Sequence, residues 1–169
     1  MKHIILIGFM GSGKSTYGKL IANKLGYSFV DTDSFIERKE GRSISDIFAD
    51  DGEDYFRSLE TEVLKELMQV QKPQVLSLGG GTPLRQCNRE IMKEGYTIFL
   101  KITADEAYRR LKDDSERPLL KVQDPKARIE ELLLERNPLY EAAADYVLYE
   151  KNKSLDDIFY ELSEIVREL

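Results

Sequence analysis

The chain has 169 residues, 41% hydrophobic and 33% charged, which is enough apolar material for one domain of two or three layers and argues against a disordered or membrane-spanning chain. A formal net charge of −6 disfavours nucleic acid as a partner, and the single cysteine, Cys87, excludes an internal disulfide or a cysteine-built zinc site. No apolar run approaches the length of a bilayer span and a strand pattern begins close to Met1, so no leader, no membrane contact and a cytoplasmic location are expected.

The first pattern, His3-Ile4-Ile5-Leu6-Ile7, reads as a buried strand, and Tyr17 to Leu25 reads as a helix. Between them stands Gly8-Phe9-Met10-Gly11-Ser12-Gly13-Lys14-Ser15-Thr16, whose spacing of glycine, four residues and Gly-Lys-Ser marks a phosphate-binding loop. Glycines let successive backbone N–H groups close around a phosphate, and the helix N-terminus that follows favours negative charge. Lys14 is expected to reach the β- and γ-phosphates, and the Ser15 hydroxyl to ligate the Mg²⁺ that neutralises them. Gly11, Ser12, Gly13, Lys14, Ser15 and Thr16 are thus the candidate nucleotide contacts, with MgATP or MgGTP the expected ligand.

Gly26 stops that helix, and Tyr27 to Val30 reads as a second strand ending at Asp31-Thr32-Asp33. Carboxylates at the carboxyl end of a strand stand where α/β folds place ligand contacts; alternatively, one of them caps a helix expected from about Ser34. Ser43 carries cap chemistry for a short helix with Ile44, Ile47 and Phe48 inward. Tyr55, Phe56, Leu59, Val63, Leu64, Leu67 and Val70 then mark a long amphipathic helix. Arg57 lies off this stripe, and as a plain surface residue it would pair with Glu53 or Glu60.

A third strand, Pro73 to Leu78, runs into Gly79-Gly80-Gly81-Thr82-Pro83, where the missing side chains let the backbone approach a ligand closely. Leu84 to Glu94 reads as helix and Tyr96 to Ile102 as the fourth strand. Thr103-Ala104-Asp105-Glu106 reads as a capping box opening a helix that carries Arg109 and Arg110. Residues 112–124 lose periodicity and read as an exposed segment, in which Arg117 is either a lid residue that closes over phosphates or a solvated surface arginine.

A helix from Asp124-Pro125 is expected to break at Arg136-Asn137-Pro138, because proline lacks an N–H and Asn137 suits the cap of a new helix. The break would turn Arg136 into a cleft. Tyr146 to Tyr149 is a fifth strand. Leu155, Ile158, Phe159, Leu162, Ile165, Val166 and Leu169 form the apolar face of a terminal helix capped by Ser154 with Asp157. Alternating strands and helices imply a three-layer α/β/α fold with a parallel sheet, built as one domain over residues 1–169.

These blocks, read together, resemble the shikimate kinase family over essentially the whole chain. The resemblance rests on Gly8 to Thr16, Asp31-Thr32-Asp33, Phe56-Arg57-Ser58-Leu59-Glu60, Gly79 to Pro83, Glu116-Arg117-Pro118-Leu119-Leu120 and Glu135-Arg136-Asn137-Pro138-Leu139-Tyr140. It implies a nucleoside-monophosphate-kinase-like P-loop fold with five parallel strands in the order 2-3-1-4-5, a lid near residues 112–124 and substrate-binding helices near 34–60. It implies transfer of the ATP γ-phosphate to the 3-hydroxyl of shikimate, on the route to chorismate; Mg²⁺ is the expected cofactor and a monomer the expected unit. By position, Asp33, Arg57, Gly79, Gly80, Gly81 and Arg136 resemble the shikimate contacts. Asp33, Lys14 and Arg117 resemble the catalytic groups, and Ser15 with Asp31 the metal support. Arg110 resembles a residue that stacks near adenine, with Arg117 reaching the phosphates.

Shikimate is a carboxylate with three hydroxyls, and the residue types agree: Arg57 and Arg136 offer bidentate forks for the acid and Asp33 an acceptor for hydroxyls. Glu150-Lys151-Asn152-Lys153 departs from the family pattern at the adenine edge. A gluconate kinase, a nucleoside monophosphate kinase or a nucleotide-binding module without transferase activity are the alternatives.

Overall fold

The computed structural model describes residues 1–113 and 121–169. The sheet is built on β1 (Ile4–Ile7), whose residues are all 2% exposed or less. Because strand side chains alternate faces, Ile5 and Ile7 enter one hydrophobic cluster while Ile4 and Leu6 enter another on the opposite face. A strand buried on both faces needs neighbours on both edges and helices above and below, which is the parallel arrangement found.

Five parallel strands stand in the order β2-β3-β1-β4-β5, where β2 is Ser28–Asp31, β3 Gln74–Ser77, β4 Tyr96–Lys101 and β5 Tyr146–Tyr149. Ile4 pairs with Val75 on one side and with Tyr96 on the other. The helices are α1 (Lys14–Leu25), α2 (Thr32–Glu40), α3 (Ile44–Met68), α4 (Gln86–Met92), α5 (Ala104–Leu111), α6 (Pro125–Ala143) and α7 (Leu155–Arg167). Tyr17 and Ile21 of α1 and Ile158, Leu162 and Val166 of α7 cover the Ile4 face, and α3 with Tyr140 of α6 covers the Ile5 face. Phe9, Ala107, Leu111, Ile129 and Leu132 form a third cluster joining α5 and α6 beside the phosphate-binding loop.

The short helix and the amphipathic helix expected after Ser43 are the two parts of α3, separated at Gly52, whose φ of 84° and ψ of 175° are not helical. Other local expectations are corrected. Tyr55 and Val70 are 40% and 38% exposed and leave the apolar stripe, as do Leu155 and Leu169 at the terminal helix. In place of one helix over 84–94, a 3₁₀ turn at Thr82–Leu84 precedes α4. Thr103 caps α5 through its hydroxyl, but Glu106 turns to Arg109 and Arg110, so half of the expected capping box forms.

The break foreseen at Asn137-Pro138 does not occur. α6 runs straight through Pro138 to Ala143. Proline leaves the carbonyl four residues back, that of Leu134, without its helical donor; Leu134 and Pro138 lie on an exposed stretch, with Leu134 79% exposed, so the lost bond lies on the helix face turned away from the core. Arg136 reaches the cleft from an unbroken helix. Residues 114–120, with Arg117 and most of the expected lid, lie outside the described residues.

Candidate active site

The phosphate-binding loop turns back on itself between β1 and α1, with Ser12 N–H donating to Phe9 O at 3.1 Å. Gly11 and Gly13 hold φ of +80° and +87°, a region side chains disfavour, and a Cβ on Gly13 would lie 2.6 Å from the Tyr17 ring. Lys14 Nζ donates to Gly8 O at 2.8 Å and Phe9 O at 3.1 Å, across the mouth of the loop. Ser12 is fully buried with its N–H held by Phe9 O, so of the loop's expected nucleotide contacts it is the one that does not line the adjoining cavity.

The loop opens onto a cavity of about 480 Å³ that also takes in Asp31, Asp33, Arg57, Gly79, Gly80, Gly81 and Arg136. Gly11, Gly13, Lys14, Ser15 and Thr16 form its other wall. Residues from positions 11 to 136 thus converge on one space, because the loop follows β1, Asp31 ends β2 and Asp33 opens α2, the glycines follow β3, and α3 and α6 carry Arg57 and Arg136 to the same cavity.

Asp31 serves two purposes. Its Oδ1 accepts from Ser34 N–H at 3.1 Å as the cap of α2, and its Oδ2 accepts from Ser15 Oγ at 2.8 Å. Asp33 sits in the first turn of α2, where burial, and then the charges of Asp31 and Glu60, push its carboxyl up to about 6 against the opposing pull of Lys14.

On the far wall, Arg57 Nη1 donates to Glu60 Oε1 at 2.5 Å and Nη2 lies 3.5 Å from Glu53 Oε1. Both partners foreseen for a surface arginine are therefore engaged, yet the guanidinium also faces the cavity. Glu60 is only 3% exposed, and its other oxygen accepts from Thr82 Oγ1 at 2.5 Å. Arg136 reaches in from α6 with its guanidinium over the Phe9 ring, and Tyr140, one turn on, donates to Gly80 O at 2.5 Å.

The glycine turn makes room for the protein's own side chains. A Cβ on Gly79 would stand 2.7 Å from Asp33 Oδ1, on Gly80 3.3 Å from Arg136 Nη1, and on Gly81 2.0 Å from Arg57 Nη1. Each glycine thus accommodates one of the three charged groups of the cavity.

Arg110 lies apart from this cavity. Its Nη1 donates to Gly11 O at 2.7 Å and its Nε to Glu106 Oε1 at 2.8 Å, and it faces a second cavity with Glu150, Lys151, Asn152 and Lys153. Glu150 is 5% exposed, and burial pushes its carboxyl up to about 7 even though Arg110, 3.4 Å away, favours its charge. Among the described residues no group of three or more His, Cys, Asp or Glu side chains is arranged to hold a metal; Ser15 and Asp31 offer a pair of hard oxygens instead.

The sequence names Glu60 as a partner of Arg57 but gives no sign of its bond to Thr82, and it singles out neither Thr82 nor Tyr140. For Tyr140 the available signal was its helical spacing of four residues from Arg136.

A family description, "Shikimate kinase", matches residues 10–167. A relative from Thermodesulfovibrio yellowstonii, named shikimate kinase, is 48% identical over 144 residues, covering 85% of this chain and 83% of its own. The chain belongs to the shikimate kinase family. A solved structure described as shikimate kinase from Acinetobacter baumannii in complex with shikimate is 38% identical, covers 99% of this chain and 92% of its own, and superposes with a TM-score of 0.88. A gluconokinase from Sinorhizobium meliloti, 18% identical with a TM-score of 0.59 and covering 99% of this chain and 96% of its own, shares the fold alone. Membership of the shikimate kinase family agrees with the sheet order 2-3-1-4-5 and with the P-loop at the end of its central strand.

Proposed function

We propose that this chain transfers the γ-phosphate of ATP to the 3-hydroxyl of shikimate, giving shikimate 3-phosphate and ADP. One observation carries the reading beyond the family: Arg57, Arg136 and Asp33 line the same cavity as Lys14 and Ser15. Two guanidinium forks suit one carboxylate, and a buried carboxylate acceptor beside the phosphate loop suits one reacting hydroxyl. The Acinetobacter baumannii structure, described as holding shikimate, supports the same acceptor.

In this reading the backbone N–H groups of Gly11, Gly13, Lys14 and Ser15 cradle the phosphates and Lys14 leaves the loop carbonyls for the β- and γ-oxygens. Ser15 and Asp31, already 2.8 Å apart, fit a Mg²⁺ ion, which takes few protein ligands and fills its shell with phosphate and water. Bound there, Mg²⁺ supplies neutralisation of the triphosphate charge. Arg57 and Arg136 hold the acceptor's carboxylate, and Asp33 accepts the hydrogen bond of its 3-hydroxyl. As that oxygen bonds to the γ-phosphorus, the bond to the β–γ bridging oxygen breaks, ADP leaves with the electron pair, and the hydroxyl proton passes to Asp33. Phosphoryl transfer depends mostly on position and charge, so one base of raised basicity suffices. Arg117 as a further cation on the transferring phosphoryl group rests on the sequence alone, and the second cavity beside Arg110 takes the nucleoside.

A coupled assay of ADP release, with shikimate, gluconate or no acceptor, tests the reading. Release that depends on shikimate and is absent with gluconate is expected. Equal release with gluconate would make the chain a gluconate kinase, and none with either acceptor would make it a binding module.

A further inference from the structure

The turn that carries Gly79, Gly80 and Gly81 is held from behind by two adjacent side chains of α4. Asn88 Nδ2 donates to Thr82 O at 2.8 Å, while Arg89 Nη1 donates to Pro83 O at 2.8 Å and to Leu84 O at 2.9 Å. Three successive carbonyls following the glycines are thus pinned by neighbouring residues. Asn88 is 1% exposed and lies outside the cavity wall, so it meets neither substrate there.

The other end of the Asn88 amide reaches α3. Its Oδ1 accepts from Thr61 Oγ1 at 2.8 Å. Thr61 follows Glu60, whose carboxylate accepts from Thr82 Oγ1 through one oxygen and from Arg57 through the other. A ring therefore closes from Asn88 to Thr61, along the backbone to Glu60, across to Thr82, and back to Asn88. Glu60, Thr82 and Asn88 are each 3% exposed or less, so broken bonds in this ring are not replaced by water. The position needs a fixed donor and a fixed acceptor facing opposite ways, which a side-chain amide provides; a carboxylate lacks the donor and an aliphatic chain lacks both.

The spacing this ring sets matters most for Arg57. Its guanidinium packs on Gly81 with no space for even a methyl group, so a shift of α3 against the turn moves the guanidinium directly.

We propose that Asn88 is a positioning residue for acceptor binding, fixing the separation of α3 from the glycine turn and thereby the place of the Arg57 guanidinium. This rests on the reading of Arg57 as a contact of the acceptor's carboxylate. Misplacement of a clamp by a fraction of an ångström weakens binding of the ligand it holds and leaves the phosphate loop, across the cavity, unaffected.

The experiment is steady-state kinetics with shikimate and MgATP varied separately for the parent, Asn88→Ala, Asn88→Asp, Thr61→Val, Arg57→Ala and the Arg57→Ala/Asn88→Ala double variant, with thermal unfolding of each. Asn88→Ala and Asn88→Asp are expected to raise the half-saturating shikimate concentration by about tenfold and that of MgATP by less than about twofold, and Thr61→Val to give a smaller rise of about threefold in shikimate alone. On the Arg57→Ala background, Asn88→Ala is expected to add less than about twofold, because the group it positions is gone. An equal rise for both substrates, an undiminished effect without Arg57, or unchanged shikimate kinetics in a folded Asn88→Asp or Thr61→Val protein would overturn the proposal. If Asn88→Ala fails to fold, the Asn88→Asp and Thr61→Val proteins decide it. A parent that releases no ADP with shikimate would strike the proposed function instead, so the two failures are distinguishable.

Discussion

Asp33 shows at the scale of one residue how a site is tuned by what surrounds it. Burial and the nearby carboxylates of Asp31 and Glu60 raise its carboxyl to about 6, with Lys14 opposing. The group remains mostly ionised at neutral pH yet is more basic than an ordinary aspartate, which suits the acceptance of a hydroxyl proton. Asp33→Asn should therefore lower turnover by about a hundredfold or more while MgADP still binds; near-parental turnover would remove Asp33 from the reaction. For the parent, kcat/KM for shikimate should rise with pH through about 6 and level off above it. The stability consequence has a definite sign. A carboxyl whose folded value is raised contributes stability present below about pH 4 that is lost as pH climbs through about 6. Asp33→Asn should thus be more stable than the parent at pH 8, by on the order of 3 kcal/mol, with the gap closing by pH 4 in denaturant titrations. Both aspartates were legible because strand ends in α/β folds point at ligands. Glu60 was legible only as a partner of Arg57 and Tyr140 not at all, because each also has a partner far along the chain, Thr82 in one case and Gly80 in the other.

At the scale of elements, periodicity located every strand to within a residue or two, and it separated the two parts of α3 near the point where Gly52 interrupts the helix. It misjudged α6. Pattern reading sees that Pro138 lacks an N–H, but whether the orphaned carbonyl faces core or water is decided by packing that no local window contains. Leu134 is exposed here, so the missing bond lies on the outer face of the helix, which continues. Pro138→Ala should restore the missing bond and raise stability by about 1–3 kcal/mol in urea unfolding, with the half-saturating shikimate concentration unchanged. A loss of stability would mean that proline's stiffening of the unfolded chain outweighs the bond, and altered shikimate binding would mean that the helix had moved Arg136. The glycine turn was half legible: three bare residues announced a close approach, but the groups that approach are Asp33, Arg136 and Arg57 as well as any ligand.

Across the whole molecule, the strand order divides labour about β1. On one side β2 and β3 deliver Asp31, Asp33 and the glycine turn to the cavity that α3 and α6 complete; on the other, β4 and β5 lead to Arg110, Glu150 and the second cavity. The phosphate loop stands between them at the crevice where the strand order reverses, the place where open α/β sheets receive ligands. Arg110 joins the halves by bonding Gly11 O of the loop. Sequence spacing identified the loop outright, but that two arginines from α3 and α6 share its cavity depended on crossovers that only the assembled sheet reveals. The central claim is that Arg57 and Arg136 clamp the acceptor while the loop holds the donor. Its most direct measurement is the pair of half-saturating concentrations for Arg136→Ala: that for shikimate should rise by about a hundredfold while that for MgATP stays within about twofold. A parallel rise in both, or a rise in MgATP alone, would place Arg136 with the nucleotide and contradict the account.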